Sequence, residues 1–545
     1  MVFAFRNTKW NHFERGIVSN LLISFNFYLE CNDFVNKPTK IEDVAGQGPL
    51  DYKDRGKKMR SKIIMLLTII ILLFQNFEGH AQHDWTEKIA ALKPTVVNIE
   101  RSSEIVFETE KQGKSYGTGF IIDADKGIIA TNAHVTGISP SNVRINFYNG
   151  SFTQAKKLYF DPVHDFGFYQ LDPQKLEFNL QSVECGSWND LSMGDELLFI
   201  GNNEREEYSV KFGTVANINI NKGERHSSYI HTTFNSAGGS SGSPVWNTKG
   251  KVVGIHSRGT RTSDFELPID YLLDVLHKIK NNLPIKRGEI GVDLKLITMG
   301  EAIRHYRLPK EIAAEMRPFS KGTPKVIQIE SLIPRSSSEK LLKQGDIIYK
   351  LEEELLNDNL YLFDALLDKN VGQTVAVEIF RSGQPLRIEV HVEDIERKKI
   401  RRFVRFAGGI FHNITPQLRR IYDFAGDGIN MSFAADGSSF SQLGYRDKKN
   451  RFFRVIVTEF DGRSIKNIDD FIKVCADIKD GQNTFVIVRD FMQFNTSLKP
   501  KSLTVNLKYG PLELFSWTAE SLDWQKIEAL PLKKEIVDKG ATLKS

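Results

Sequence analysis

Three cysteines in 545 residues exclude a disulfide framework. Cys31, Cys185 and Cys475 lie far apart, so stability must come from ordinary cores. The chain also lacks a surplus of one charge: 73 basic against 68 acidic residues leave a formal +5. Such a balance gives no nucleic-acid footprint, which needs clustered Lys and Arg. The conspicuous apolar run, Ile63 to Phe74, is too short for a membrane span of about 20 residues. What the sequence does have is material for cores, at 41% hydrophobic and 11% aromatic. That excludes a disordered or collagen-like chain. At roughly 150 residues per domain the length predicts three or four domains.

Lys57-Lys58-Met59-Arg60-Ser61-Lys62, the apolar run and Gly79-His80-Ala81 follow the order of a secretory signal peptide. The reading is a signal peptide over 59–81, cleaved after Ala81, and a periplasmic or secreted product. No cysteine sits near the cut, so a lipid anchor is not expected. Residues 1–58 precede Met59 and are expected to be a non-native extension of the reading frame.

From Thr86 to about Asn282, short β-branched and aromatic runs alternate with Gly, Asn and Asp. Thr95–Glu100, Gly119–Ile122, Val143–Phe147, Leu197–Ile200, Val210–Val215 and Val252–Ile255 read as strands of an all-β unit. Tyr271–Lys280 has helical spacing and closes it. Pro284–Gly288 reads as a linker. From Gly288 to about Asp394 the pattern is mixed α/β, with helices expected at Ser336–Leu342 and Leu360–Leu367. The basic stretch Glu396–Arg402 reads as a solvated junction. A weaker mixed pattern recurs over 403–508, and the tail 509–545 carries no usable motif.

Three segments carry chemistry: Ile128–Val135 with His134, Asp161–Phe168 with Asp165, and Gly238–Val245 with Ser241. A serine hydroxyl needs an adjacent base. Histidine titrates near neutrality and serves as base, then acid. A buried carboxylate orients the imidazole. The glycines around Ser241 let the amides of Gly239 and Ser241 point into one pocket, where such donors stabilise an oxyanion; losing one costs about 3–4 kcal/mol. Gly238–Gly242 also fits G-x-S-x-G, which would make Ser240 the nucleophile of an α/β-hydrolase elbow, but that fold needs a helix after the turn and an acid and His downstream. The twelve histidines show no ligand spacing with Cys or Glu, so no metal or other cofactor is expected.

Thr131-Asn132-Ala133-His134-Val135, Asp161–Phe168 and Gly239-Ser240-Ser241-Gly242-Ser243-Pro244 resemble the motifs of trypsin-like serine proteases, and among them the HtrA/Deg proteases. Ile200-Gly201-Asn202, Gly213-Thr214-Val215 and Leu267-Pro268-Ile269-Asp270 are similar to further stretches of that protease domain. The resemblance implies a two-barrel, chymotrypsin-like protease over 82–284 followed by α/β PDZ modules, with His134, Asp165 and Ser241 as triad. It also implies unfolded or damaged envelope proteins as substrates and a trimer-based homo-oligomer.

In the specificity pocket, Asn235 stands where cleavage after Lys or Arg would need a carboxylate. Ser236 and His256 stand where glutamyl endopeptidases, which the segment also resembles, hold a glutamate side chain. HtrA relatives usually prefer small aliphatic residues, and both preferences stay open. Residues 288–394 resemble an HtrA-type PDZ domain through Ile290-Gly291-Val292 and Leu342–Ile348. The resemblance makes Ile290, Gly291 and Val292 candidates to hold a peptide C-terminus; packing or assembly is the other reading. Residues 403–508 resemble a divergent second PDZ. The expected protein is an exported serine endopeptidase acting on polypeptides. The alternative is a PDZ scaffold or chaperone with a latent protease domain, in which Asn221–Tyr229 and Ser257–Phe265 are candidate regulatory loops.

Overall fold

The computed structural model describes residues 85–108, 110–204, 206–221, 226–260, 262–316, 323–444, 455–491 and 498–527. The expected signal peptide and the extension before it lie outside these residues.

Two closed six-stranded antiparallel barrels come first. One contains β1 (Val96–Ser103), β2 (Gly113–Asp123), β3 (Ile128–Thr131), β4 (Asn142–Phe147), β5 (Phe152–Phe160) and β6 (Gly167–Gln170). The other contains β7 (Glu196–Asn203), β8 (Glu206–Ile220), β9 (Tyr229–Thr232), β10 (Pro244–Asn247), β11 (Val252–Gly259) and β12 (Asp264–Pro268). Helix α1 (Trp85–Leu92) precedes them, α2 (Ala133–Thr136) follows β3, and α3 (Asp270–Lys280) closes the unit. Apart from Thr95, which ends a 3-10 turn before β1, the expected strands fall inside observed ones, because β-branched and aromatic residues suit these pleated, half-buried surfaces.

One apolar cluster joins the barrels: Phe120, Phe166 and Phe168 from the first meet Ile200, Trp246, Ile255 and Leu267 from the second. Each such side chain contributes about 1.5–3 kcal/mol on burial. The shared core holds the facing edges of the barrels in register, and the cleft between them carries the candidate residues.

A first module follows, with β13 (Gly288–Glu289), β14 (Val292–Thr298), β15 (Lys325–Leu332), β16 (Ile347–Leu351), β17 (Glu354–Leu355), β18 (Thr374–Arg381), β19 (Gln384–His391) and β20 (Glu393–Asp394). Strand β14 is an edge of the main sheet, ordered β14-β15-β16-β18-β19. Helices α4 (Met299–Tyr306), α5 (Lys310–Glu315) and α6 (Leu360–Lys369) belong to it. The helix expected at Ser336–Leu342 is instead a series of turns. The hydroxyls of Ser336 and Ser338 donate to the Gly291 carbonyl, and short hydroxyl side chains that bond to backbone compete with helix formation.

The second module has β21 (Arg402–Phe406), β22 (Gly409–Asn413), β23 (Ile429–Ala434), β24 (Val455–Phe460), β25 (Arg463–Ser464), β26 (Asn483–Asp490), β27 (Leu498–Thr504), β28 (Glu513–Thr518) and β29 (Asp523–Ile527), with helices α7 (Pro416–Tyr422) and α8 (Ile468–Asp477). Its sheet runs β27-β26-β24-β23-β22-β21-β28-β29. The supposed tail thus supplies a hairpin: β28 pairs with β21, and Phe515 and Trp524 pack on Phe403.

The basic stretch is solvated only in part: the Arg397 side chain is exposed, whereas that of Lys399 is not. Lys399 is buried, donates to the Phe160 carbonyl at 2.6 Å and pairs with Glu396 at 2.7 Å. Burial brings its ammonium down to about 8 despite the Glu396 charge.

Candidate active site

The histidine sits on α2, the single turn that follows β3. Its Nδ1 lies 3.0 and 2.9 Å from the two carboxylate oxygens of Asp165, and its backbone amide donates to the same carboxylate at 3.1 Å. Asn132, just before α2, donates to the Asp165 carbonyl at 3.0 Å. Ser257 on β11 adds a 2.6 Å hydrogen bond to the carboxylate. The aspartate is therefore gripped from both barrels, which leaves the imidazole one orientation.

The loop carrying Asp165 is built on Asp161. Its carboxylate accepts from the amides of Val163 and His164 and pairs with Arg287 at 2.6 Å. Burial alone would raise its pKa, but the Arg287 guanidinium outweighs burial and holds it down at about 2. Arg287 also bonds Asp368 on α6 at 2.5 Å. The stretch read as a linker is thus a buried ionic tie beneath the aspartate loop.

Ser241 arrives from the other barrel in a tight turn. The Asn203 side-chain oxygen accepts from the Ala237 amide and the Ser240 hydroxyl, at 2.7 and 2.9 Å. Thr118 donates through its hydroxyl to the Gly239 carbonyl at 2.9 Å and through its amide to the Ser241 carbonyl at 2.8 Å. Two glycines are required by space. A Cβ at Gly239 (φ +101°) would lie 2.1 Å from the Asn202 carbonyl, and one at Gly242 (φ +90°) 2.0 Å from the Thr118 carbonyl. Gly242 and Ser243 bond the backbone of His256, whose neighbour Ser257 holds Asp165. These links tie the Ser241 turn to the strand whose Ser257 holds Asp165, although among the described residues no hydrogen bond joins the Ser241 hydroxyl to the His134 ring. Catalytic contacts of this kind often tighten only when substrate binds. The amides of Gly239 and Ser241 meet no acceptor among the described residues.

Ser240, the alternative nucleophile, is fully buried and spends its hydroxyl on Asn203. Strands β10 and β11 follow the turn where an elbow would need a helix.

Of the three pocket candidates, Asn235 is exposed in left-handed backbone (φ +62°) and stands apart. Ser236 donates from its amide and hydroxyl to Asp264 at 2.7 and 2.9 Å. His256 Nδ1 lies 2.9 Å from Glu266, which also accepts from Thr232 at 2.6 Å. Burial works against charge on the His256 ring, and the Glu266 carboxylate outweighs it, raising the imidazole above its usual value. Asp264 and Glu266 stand two apart on β12 and so share a face of the strand. Sequence reading missed both, together with Ser257, Asn203 and Arg287.

The first module's candidate loop is engaged from within. The side chains of Ile290 and Val292 are buried. The Gly291 amide donates to the Glu289 carboxylate at 2.7 Å, and Glu289 also faces Arg420 of α7 at 3.9 Å. The Val292 carbonyl meets the His226 ring, whose other nitrogen lies 3.5 Å from Asp364 on α6. Burial disfavours charge on His226, but Glu289 and Asp364 together lift it to about 9. His226 belongs to the segment read as a regulatory loop; its neighbour Ser227 bonds His164, next to Asp165, at 2.7 Å. The other supposed loop, Ser257–Phe265, is largely the paired ends of β11 and β12.

Comparison with known proteins places family matches on these units. A trypsin-like peptidase domain matches residues 117–255, and a PDZ-like domain matches residues 399–481, the module read as the more divergent. The pro-apoptotic serine protease NMA111 of Lodderomyces elongisporus is 30% identical over 423 residues, covering 75% of this chain and 42% of the relative. That of Aspergillus oryzae is 31% identical over 432 residues, covering 77% and 41%. The chain thus spans about two-fifths of the length of these relatives. Among solved structures, the HtrA-type protease AlgW with tripeptide is 20% identical at TM-score 0.44, covering 57% of this chain and 97% of that one. A serine endoprotease from Yersinia pestis gives 19% and 0.39, covering 57% and 98%. The chain carries a trypsin-like serine peptidase domain joined to a PDZ-like domain, and it resembles the HtrA-like proteases in that arrangement.

Proposed function

We propose that the chain is a serine endopeptidase in which Ser241 attacks the peptide carbonyl, His134 takes and returns its proton, and Asp165 holds the imidazole. The amides of Gly239 and Ser241 receive the oxyanion. The observation that carries this reading is the doubly contacted His134–Asp165 pair, linked through Ser257 and β11 to a glycine turn whose Gly239 and Ser241 amides meet no acceptor among the described residues. In the transition state such preorganised donors act without reorganisation. Residues 288–394 and 403–508 are proposed to capture extended polypeptide or C-termini, and the active form is proposed to be a homo-oligomer built on trimers. Export to the periplasm or medium, with unfolded envelope proteins as substrates, rests on the signal-like segment and the HtrA resemblance. The fungal relatives are named pro-apoptotic serine proteases, a name that says nothing of envelope substrates.

For specificity, Asp264 and Glu266 outnumber His256 in charge, which disfavours a glutamate side chain in the pocket. We infer a preference for small uncharged residues before the cut. Peptides with Val, Glu and Lys at that position, assayed with wild type and Ser241→Ala, test both points: Val is cleaved fastest and the variant is inert. A faster Glu peptide overturns the specificity reading, and residual turnover in Ser241→Ala overturns the mechanism.

A second reading, a scaffold with a latent protease, is favoured by the missing Ser241–His134 hydrogen bond and by the internal partners of the Gly291 loop. It predicts peptide binding without turnover.

A further inference from the structure

The basic stretch that follows the first module lines a cavity of about 400 Å³ between the two downstream modules. Seven basic residues face it against two acidic ones. They come from three parts of the chain: Arg335 from a turn of the first module, Arg397, Lys398, Lys399, Arg401 and Arg402 from the connection and the start of β21, and Arg419 from α7 of the second.

The positive charge is only partly answered. Glu289 is committed to the Gly291 amide and Glu393 to Lys398 at 2.8 Å. Each guanidinium is held along one side and keeps further N–H groups. Arg335 uses Nη1 on Asp427 at 2.6 Å, Arg402 uses Nη2 on Asp469 at 2.7 Å, and Arg397 uses Nε on Asp394 at 3.3 Å. Among the described residues Arg419 has no carboxylate partner in hydrogen-bond contact: its Nη1 donates to the Phe424 and Gly426 carbonyls, at 2.9 and 3.1 Å. Burial and then repulsion from Arg335 lower its pKa. Positioned cations with spare donors around a partly open cavity are the requirement for a multiply charged anion.

We propose that this cavity binds a small soluble anion carrying two or more phosphate groups. Guanidinium forks match phosphate oxygens, and one phosphate presents three of them, enough to be shared by side chains from different elements. A carboxylate presents two. The volume lies in the range of about 300–1,000 Å³ usual for small-molecule sites. Contacts from Arg335 and Arg419 to one ligand would tie the two modules together, and binding confined to the folded state raises stability.

The test uses full-length Ser241→Ala protein, which cannot digest itself, titrated calorimetrically with sodium tripolyphosphate in about 0.15 M salt, where long-range attraction is screened beyond about 8 Å. The proposal expects saturable 1:1 binding and a higher melting temperature. Trisodium citrate at matched ionic strength binds at least tenfold more weakly. Arg335→Gln with Arg419→Gln weakens tripolyphosphate at least tenfold. Arg397→Gln, at a side chain exposed enough to leave the fold alone, weakens it severalfold, and Lys251→Gln on the protease surface does not. No saturable heat, citrate equal to tripolyphosphate, or an affinity indifferent to Arg397→Gln overturns the proposal.

Discussion

Two glycine turns in this molecule present backbone amides, and they differ in what meets those amides. In the turn before Ser241, a network from Asn203 and Thr118 holds the backbone, and among the described residues the Gly239 and Ser241 amides are left without an acceptor. In the turn before β14, the Gly291 amide meets the Glu289 carboxylate and the Val292 carbonyl meets His226. The same local device is open in the first case and filled in the second. An open amide pair suits charge that develops during a reaction. A filled one must first release its internal carboxylate before it can take another.

The largest effect that would break this comparison falls on the open turn. Gly239→Ala forces a Cβ within 2.1 Å of the Asn202 carbonyl in left-handed backbone, so the amide must move. We expect kcat to fall about 10²–10³-fold, the loss seen when one oxyanion donor goes, with melting temperature recorded alongside. Next comes Ser257→Ala, which removes one hydrogen bond from the Asp165 carboxylate but leaves the His134 contact. Bonds to charged groups are worth about 1.5–3 kcal/mol, so kcat/KM should fall about 10–100-fold.

On the filled turn, Glu289→Ala removes the carboxylate that occupies the Gly291 amide. Affinity for a C-terminal peptide, read by fluorescence anisotropy, should rise about tenfold, within the range of ordinary couplings between sites. An unchanged affinity would mean that the loop does not receive peptides.

A further effect is in pH. His226 has its folded pKa raised from 6.5 to about 9, so between these values the folded state holds the proton more tightly than the unfolded chain. Its contribution is complete below about pH 6.5 and is lost as pH rises through about 9. The urea midpoint should decline across that window, and His226→Gln should flatten the decline.

What could be read in advance follows the range of the interactions. The barrel strands were legible because strand patterning and turn glycines are local. Ser257, Asp264 and Glu266 were not, because their roles depend on the register between β11 and β12 and on which face each residue shares. Arg287 looked like linker because its partners, Asp161 and Asp368, lie in separate domains. The helix expected at Ser336–Leu342 failed for a local reason, serine hydroxyls bonding backbone carbonyls. The hairpin of β28 and β29 was hidden because it pairs with β21, far back in the chain. That the Gly291 turn is filled could not be read either, because His226 meets the Val292 carbonyl from far back in the chain.

The account stands on Ser241 being a nucleophile activated by His134. The direct measurement is labelling by a fluorophosphonate probe, located by peptide mass spectrometry, in wild type, Ser241→Ala and His134→Ala. We predict one adduct on the Ser241 peptide in wild type, none in Ser241→Ala, and labelling slowed by at least about 10³-fold in His134→Ala. An adduct on Ser240, or wild-type protein that never labels, would contradict it.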